Sequence, residues 1–240
     1  MIALRDVSKH YGDVKALDGL TIEVAPGEIY GLIGPNGAGK TTTIKLLVGL
    51  LKPTRGSILV NGTDIAKDGI AAKRVIGYIP DEPYLYGRLT PSELMDFKGS
   101  LHDMTPAHLE RGKGELLELV GLADYRNNLI ESFSLGMRQR LAIAVSLLPS
   151  PRIIVVDEPL VGLDPNGMRR IKDIFRSLAA EGRTVFISTH MLHVVEEIAH
   201  RIGVLHKGRL IAEGTLDALR NSGDEGLENV FFRLFAEDAR

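Results

Sequence analysis

The segment GPNGAGKT at residues 34–41 combines the residue types and the spacing that bind phosphate groups. It fits the pattern G-x-x-x-x-G-K-[ST] in full, between an apolar segment typical of a strand and a segment typical of a helix. Its glycines let the backbone curl so that successive N–H groups face the phosphates, Lys40 reaches the β- and γ-phosphates, and the Thr41 hydroxyl holds Mg²⁺. The simpler interpretation is a glycine turn before a helix, but that does not require the Lys-Thr pair.

Two further apolar segments end in side chains suited to hydrolysis. IIVVDEP at 153–159 brings Asp157 to the carboxyl end of a buried strand, where ligands bind in open parallel sheets. Asp157 would hold Mg²⁺, and Glu158 would act as general base on a water that attacks the γ-phosphate. FISTH at 186–190 brings His190 to the same edge, where it can hydrogen-bond the γ-phosphate. A solvated strand end and a structural histidine are the simpler interpretations, which the phosphate loop makes weaker.

A third segment, ESFSLGMRQR at 131–140, resembles half of an anion site. Ser134 is a plausible N-cap, and the free N–H groups of the helix tip beside a hydroxyl can bind an anion. The segment has no phosphate loop, catalytic carboxylate or metal ligand of its own.

The elements that must position these residues alternate between strand and helix. Short apolar strands (IYGLIG, VIGYIP, IIVVDEP and TVFISTH) separated by helical segments predict a mainly parallel sheet covered on both faces. The alternating segments IALRDVSKHY, LTIEV and GSILVNG before and between them predict an N-terminal antiparallel β portion. From residue 90 the pattern becomes helical, with a capping box TPSE followed by Leu94, Phe97 and Leu101 on one helix face. The fold class is therefore α/β, a P-loop NTPase core with an inserted α-helical subdomain.

The chain is interpreted as a single ATPase domain over 1–240 with three parts. Residues 1–84 and 151–220 form the catalytic core, and residues 85–150 form the helical subdomain. The tail at 221–240 carries apolar residues at helical spacing, which predicts an amphipathic helix; it either packs on this chain's own core or docks elsewhere.

Composition narrows the class of protein. Of the 240 residues 44% are hydrophobic and 25% charged, the net charge is −2, and there is no cysteine. These values fit a globular chain in a reducing compartment and argue against nucleic-acid binding through bulk positive charge. The best apolar run, Leu141 to Pro151, is shorter than the roughly 20 residues of a membrane span, so a cytoplasmic location is expected.

In this order and spacing, the motifs resemble the nucleotide-binding subunit of an ABC transporter, and the resemblance covers essentially the whole chain. The resemblance implies ATP and Mg²⁺ as ligands. The positions that match the family's aromatic loop, phosphate loop, glutamine loop, signature, magnesium-binding strand end and histidine loop are Tyr11, Gly34, Pro35, Asn36, Gly37, Ala38, Gly39, Lys40, Thr41, Thr42, Asp81, Ser134, Gly136, Asp157, Glu158 and His190.

Two motifs depart from the family pattern, the glutamine loop and the signature. Asp81 stands where the family has glutamine; it is either a further Mg²⁺ ligand with a catalytic role or a carboxylate that swings away from the triphosphate. The signature LSGGQ reads FSLGM here, which keeps Ser134 and Gly136 but replaces the terminal glutamine by Met137.

The resemblance implies a subunit that dimerises head to tail with a second copy or a paralogue, so that Ser134 and Gly136 of one subunit cap the γ-phosphate held by the other. It also implies separate integral membrane subunits, contacted by residues around 81–100, which would hold the chain at the cytoplasmic face of the membrane. The form S-x-G-M-x-Q-R is similar to that of type-2 ABC exporters, including those for peptide antibiotics. The alternative is a soluble ABC ATPase that acts on ribosomes or DNA, for which a second cassette, a heptad run or a basic stripe would be expected.

Overall fold

The computed structural model describes residues 1–220, so the amphipathic tail predicted at 221–240 lies outside the described residues. The strands, in chain order, are β1 (Ile2–Tyr11), β2 (Val14–Val24), β3 (Ile29–Ile33), β4 (Arg55–Val60), β5 (Thr63–Asp64), β6 (Ile76–Ile79), β7 (Ile153–Asp157), β8 (Thr184–Thr189), β9 (Arg201–His206) and β10 (Arg209–Gly214). The α-helices are α1 (Lys40–Leu47), α2 (Gly69–Arg74), α3 (Pro91–Leu101), α4 (Pro106–Leu119), α5 (Leu135–Leu147), α6 (Pro165–Ala180), α7 (Leu192–Ile198) and α8 (Leu216–Leu219).

The main sheet has six strands in the order β10-β9-β3-β8-β7-β6, and only β10 runs antiparallel to its neighbour. Every residue of β3, β7 and β8 is buried, which explains why these strands are apolar runs rather than alternating ones. Ile33 is paired with Thr189, and Asp157 with Ser188, so the three carboxyl ends lie at one edge of the sheet. The predicted α/β fold with a mainly parallel sheet is confirmed.

The second sheet is antiparallel and has the order β2-β1-β4-β5. Its apolar residues form a buried cluster with one face of the main sheet, where the rings of Tyr30 and Phe186 stack at 5.4 Å between centroids. This sheet corresponds to the predicted N-terminal antiparallel portion. Its strand β2 leads to the phosphate loop, because β3 follows it directly in the chain.

Helices α3 to α5 fill the segment between β6 and β7, where the helical insert at 85–150 is predicted. The capping box at the start of α3 is present in full, because Thr90 accepts from the Glu93 N–H and Glu93 accepts from the Thr90 N–H. Of the apolar face predicted for this helix, Leu94 is buried, whereas the side chains of Phe97 and Leu101 are 45% and 61% exposed. The pattern therefore identifies the face, but within residues 1–220 only one end of that face is covered.

Several local elements differ from the sequence prediction. Helix α1, predicted only as a helical segment after the phosphate loop, ends at Leu47, because Gly49 takes a left-handed φ of 68° and reverses the chain. The short elements α2, β5 and α8 have too few residues to show a periodic pattern, and none of them was predicted. In residues 1–220 no helix combines the length and the apolar character that crossing a bilayer demands.

Candidate nucleotide-binding and hydrolysis site

A cavity of about 570 Å³ lies at the carboxyl ends of β3, β7 and β8. It brings together most of the predicted site from separate parts of the chain: residues 35–42, Asp81, Asp157, Glu158 and His190. The strand order causes this convergence, since parallel strands place their carboxyl ends on one edge of the sheet.

The phosphate loop needs glycine at defined positions. Gly37 and Gly39 have left-handed φ values of 80° and 112°, and a Cβ on Gly39 would lie 2.6 Å from the Ala16 carbonyl oxygen. The Gly208 N–H, from the turn between β9 and β10, donates to the Ala38 carbonyl at 2.9 Å. The loop is thus held in a curled conformation by neighbouring backbone as well as by its own residues.

Lys40 lies against this loop and is almost fully buried. Its Nζ donates to the carbonyl oxygens of Gly34 at 2.7 Å and Pro35 at 3.2 Å. Burial lowers the pKa of Lys40, and the nearby carboxylates of Glu158 and Asp157 act in the opposite direction. An ammonium held in a partly desolvated setting is well placed to gain energy from a phosphate anion.

Asp157 and Thr41 carry oxygen atoms that could hold a cation. Asp157 is buried at the end of β7, and desolvation raises its pKa, while the hydroxyls of Ser188 and Thr41 partly lower it. A buried carboxylate beside a hydroxyl is a hard donor set that fits Mg²⁺. Among residues 1–220 no three His, Asp or Glu side chains are grouped to hold a metal by themselves. The remaining ligands would therefore be phosphate oxygens and water, as is usual for Mg²⁺ in nucleotide sites.

Asp81 lines the cavity but is exposed, unlike Asp157. Partial desolvation raises the pKa of Asp81, with further contributions from the charges of Glu158 and Glu82 and an opposing one from His190. The carboxyl group is therefore near the predicted base. Whether it binds metal stays a prediction.

Glu158 is held to the end of β8 by both its backbone and its side chain. It has a left-handed φ of 48°, and its N–H donates to the Ser188 carbonyl at 2.8 Å. Thr189 Oγ1 donates to Glu158 Oε2 at 2.8 Å, and the His190 N–H donates to Oε1 at 2.9 Å. Such a conformation of a non-glycine residue is costly and persists only where surrounding contacts hold it.

His190 contacts the same carboxylate through its ring. Its Nδ1 lies 2.8 Å from Glu158 Oε1. Since a carboxylate only accepts hydrogen bonds, Nδ1 carries the hydrogen when Glu158 is ionised. To donate from Nε2 to a γ-phosphate as well, the ring must become the imidazolium or release Glu158.

Tyr11 matches the family's aromatic loop, which implies a ring that stacks on adenine, but it is not among the residues that line the cavity. It is half exposed at the end of β1, and it pairs with Val14, which does line the cavity. The Lys9 ammonium lies 5.2 Å from the centre of its ring. Stacking on adenine therefore stays a prediction.

Ser134 and Gly136 lie at the tip of α5, and neither lines the cavity. Ser134 is the predicted N-cap, accepting from the Met137 N–H at 3.2 Å. A Cβ on Gly136 would lie 2.9 Å from the Gly162 carbonyl oxygen, so the helix tip needs a residue without a side chain there. The half site at this tip is therefore complete as a helix cap but separate from the cavity of its own chain.

The structure adds residues that sequence reasoning missed. Lys15 and Lys207 line the cavity from β2 and from the β9–β10 turn, where only the fold could place them. Buried Gln139 of α5 extends Nε2 to within 3.5 Å of the Pro159 carbonyl, which links the helix to the loop that follows Glu158. The Thr189 contact could have been suspected, because a threonine precedes His190 in FISTH.

Comparisons with known proteins agree with this geometry. The family model described as "ABC transporter" matches residues 17–161. The bacitracin transport ATP-binding protein BcrA of Bacillus licheniformis is 40% identical over 229 residues, which cover 95% of this chain and 74% of that protein. A solved structure described as the ATP-binding subunit of an ABC transporter has 33% identity and a TM-score of 0.93, and the match covers 98% of this chain and 99% of that one. A dimeric, post-hydrolysis cassette, MJ0796 with ADP and Pi, has 27% identity and a TM-score of 0.80, and the match covers 90% and 99% of the two chains.

Proposed function

The chain belongs to the ABC transporter family as an ATP-binding, ATP-hydrolysing subunit, and on that premise we propose that two such subunits share their ATP sites across a head-to-tail dimer. One observation carries the proposal: the cavity contains the phosphate loop, Asp157, Glu158 and His190, whereas Ser134 lies outside it. A cap for the γ-phosphate must then come from a second copy or from a paralogous subunit.

Within one subunit, the loop N–H groups and Lys40 bind and orient the β- and γ-phosphates. Thr41 and Asp157 would hold Mg²⁺, which neutralises phosphate charge when bound. Asp81 is a further candidate for this cation. Glu158 takes a proton from the attacking water, and His190 hydrogen-bonds the γ-phosphate.

Across the dimer, the tip of α5 adds the Ser134 hydroxyl and the N–H groups around Gly136 to the γ-phosphate. ATP then stabilises the closed dimer, because it binds ligands from both subunits. Hydrolysis removes that stabilisation and reopens the dimer. The solved dimer of a related cassette in a post-hydrolysis state with ADP and Pi supports a dimer as the form that hydrolyses ATP.

An exposed apolar area offers a contact for membrane subunits. It consists of Tyr84, Tyr86, Phe97 and Leu101, here called the aromatic surface, with the rings of Tyr86 and Phe97 at 5.9 Å. Leu85, which lies between these two tyrosines in the chain, packs instead against the buried core beneath. Exposed aromatic and aliphatic side chains grouped in this way mark interaction sites. We assign the aromatic surface to separate integral membrane subunits, which would hold the chain at the cytoplasmic face of the membrane.

The direction of transport is proposed to be export. A relative that is 40% identical over 91% of this chain, DrrA3 of Streptomyces coeruleorubidus, is named for daunorubicin resistance, which removal of a toxic compound from the cell would provide. The proposed function involves no binding of nucleic acid, since a net charge of −2 gives no electrostatic attraction to its phosphates.

The ATPase part of the proposal is tested with Glu158→Gln. The variant should bind ATP, lose hydrolysis and accumulate as an ATP-dependent dimer in light scattering, because the ligand that closes the dimer is no longer consumed. A variant that hydrolyses ATP at the wild-type rate would remove Glu158 from the role of general base.

The membrane part is tested with Leu101→Asp, for which Leu50→Asp is a matched control. Both leucines are 61% exposed, but Leu50 lies outside the aromatic surface. Leu101→Asp should lower the fraction of the protein that sediments with native membranes without changing the ATPase rate of the purified subunit. Equal sedimentation of the two variants would contradict the assignment.

A further inference from the structure

Thr189, the last residue of β8, contacts the proposed base but has no part in the function described so far. Its side chain is 1% exposed, and its Oγ1 lies 2.8 Å from Glu158 Oε2. The Met191 N–H donates to the same hydroxyl oxygen at 3.0 Å.

These contacts determine the direction of the hydrogen bond. A threonine hydroxyl has one hydrogen to donate and accepts through its oxygen, whereas an ionised carboxylate only accepts. Since Oγ1 already accepts from Met191, its hydrogen is available to Glu158. The hydroxyl is therefore oriented by the backbone and donates to Oε2.

The two oxygens of Glu158 consequently have different partners. Oε2 is bound by Thr189, while Oε1 is bound by the His190 N–H and faces its ring. When the His190 ring turns toward a γ-phosphate, Oε1 loses its side-chain partner. Oε2 keeps its own, because Thr189 is buried in the strand.

We propose that Thr189 is a positioning residue for ATP hydrolysis, whose hydroxyl holds Oε2 of Glu158 so that Oε1 meets the attacking water. The proposal rests on the role of Glu158 as general base. A glutamate side chain has three rotatable bonds, and a misplacement of about 1 Å can cost about 100-fold in rate. The hydrogen bond from Thr189 to Oε2 restricts these rotations and so fixes the position of Oε1.

The test compares Thr189→Val, which keeps the shape and removes the hydroxyl, with Thr189→Ser, which keeps the hydroxyl. In Thr189→Val we expect kcat to fall about 10- to 100-fold with the KM for ATP unchanged, because the side chain touches the base and not the nucleotide. Thr189→Ser should restore kcat. A serine variant as slow as the valine variant would overturn the proposal.

Thr184→Val is the matched control. Thr184 lies on the same strand, is equally buried at 1% exposed, and donates its hydroxyl to the Ala25 carbonyl at 3.1 Å, at the opposite end of β8. The control loses a buried hydrogen bond without touching Glu158, so its kcat should equal that of the wild type. Equal losses of kcat in both valine variants would reduce Thr189 to a structural role and overturn the proposal. Melting temperatures are recorded for all variants, and Thr189→Ala replaces the valine variant in the comparison if that variant does not fold.

Glu158→Gln separates this proposal from the one on which it rests. If Thr189 acts through Glu158, adding Thr189→Val to Glu158→Gln lowers the residual rate no further. If Glu158→Gln is inactive but Thr189→Val has the kcat of the wild type, the role of Thr189 is overturned and that of Glu158 stands. A Glu158→Gln variant of wild-type kcat would overturn the role of Glu158 itself.

Discussion

Ser134→Asp is a strong test of a shared ATP site, because it changes charge at the tip of α5 without removing the helix cap. Ser134 is exposed and uses its side chain to accept from the Met137 N–H at 3.2 Å. Aspartate is as good an N-cap as serine, so the free energy of unfolding should change by no more than about 0.5 kcal/mol. ATP binding by the monomer should also be unchanged, since Ser134 does not line the cavity.

The effect on the dimer follows from electrostatics. If Ser134 of one subunit caps the γ-phosphate of the other, the new carboxylate lies about 4 Å from a phosphate charge. At an effective dielectric constant of about 20 this repulsion is about 4 kcal/mol. Since 1.4 kcal/mol corresponds to a factor of ten, ATP-driven dimerisation should weaken by about a thousandfold for each shared site that carries the substitution, with a large loss of turnover at limiting protein concentration.

The assay combines three measurements. Nucleotide binding to the monomer is followed with a fluorescent ATP analogue, turnover by phosphate release, and dimerisation by light scattering in the Glu158→Gln background. Thr105→Asp is the control, since Thr105 is an exposed N-cap of α4 in the same insert. A Ser134→Asp variant that fails to bind nucleotide as a monomer, or one that turns over at the wild-type rate, would refute the shared site.

Three further predictions concern the metal site and the insert. Burial raises the pKa of Asp157, so the ionised carboxylate lowers the stability of the folded protein at pH values above the ordinary aspartate pKa. Asp157→Asn should therefore raise the melting temperature of the nucleotide-free protein at neutral pH, but not at acid pH, where the carboxyl is protonated in both the folded and the unfolded state. The same variant should be stabilised less by Mg²⁺ and ATP in thermal melts. Asp81→Ala should raise the Mg²⁺ concentration needed for half-maximal ATPase activity; an unchanged Mg²⁺ titration would exclude Asp81 as a ligand. Thr90→Ala removes the cap that holds the Glu93 N–H and should cost about 1 kcal/mol in denaturant unfolding while kcat stays at the wild-type value.

The sequence predicts the phosphate loop, the strand ends and the helix caps well, because each depends on contacts within a few residues. The loop at 34–41 carries its candidate phosphate-binding groups consecutively, and Thr90 and Glu93 bond to each other's backbone inside a single turn. Apolar strand runs likewise predict that Asp157 and His190 reach one sheet edge, since parallel strands share their direction. The main architecture was therefore predictable before any tertiary contact was known.

Contacts between distant elements were not predictable in this way. Periodicity identifies the face with Phe97 and Leu101, but it does not say what covers that face, and within residues 1–220 both side chains stay largely exposed. Lys15 and Lys207 reach the cavity only because β2 and the β9–β10 turn both pack beside the phosphate loop.

By itself, then, the sequence determined which residues could bind phosphate and attack it, since those groups lie on local turns and strand ends. The tertiary structure alone decided how they are held. The register that pairs Asp157 with Ser188 places Glu158 against Thr189 and His190, and the packing of α5 on the Gly162 loop keeps Ser134 away from the cavity of its own chain. Strand register and helix packing depend on residues far apart in the chain, so no local pattern contains them.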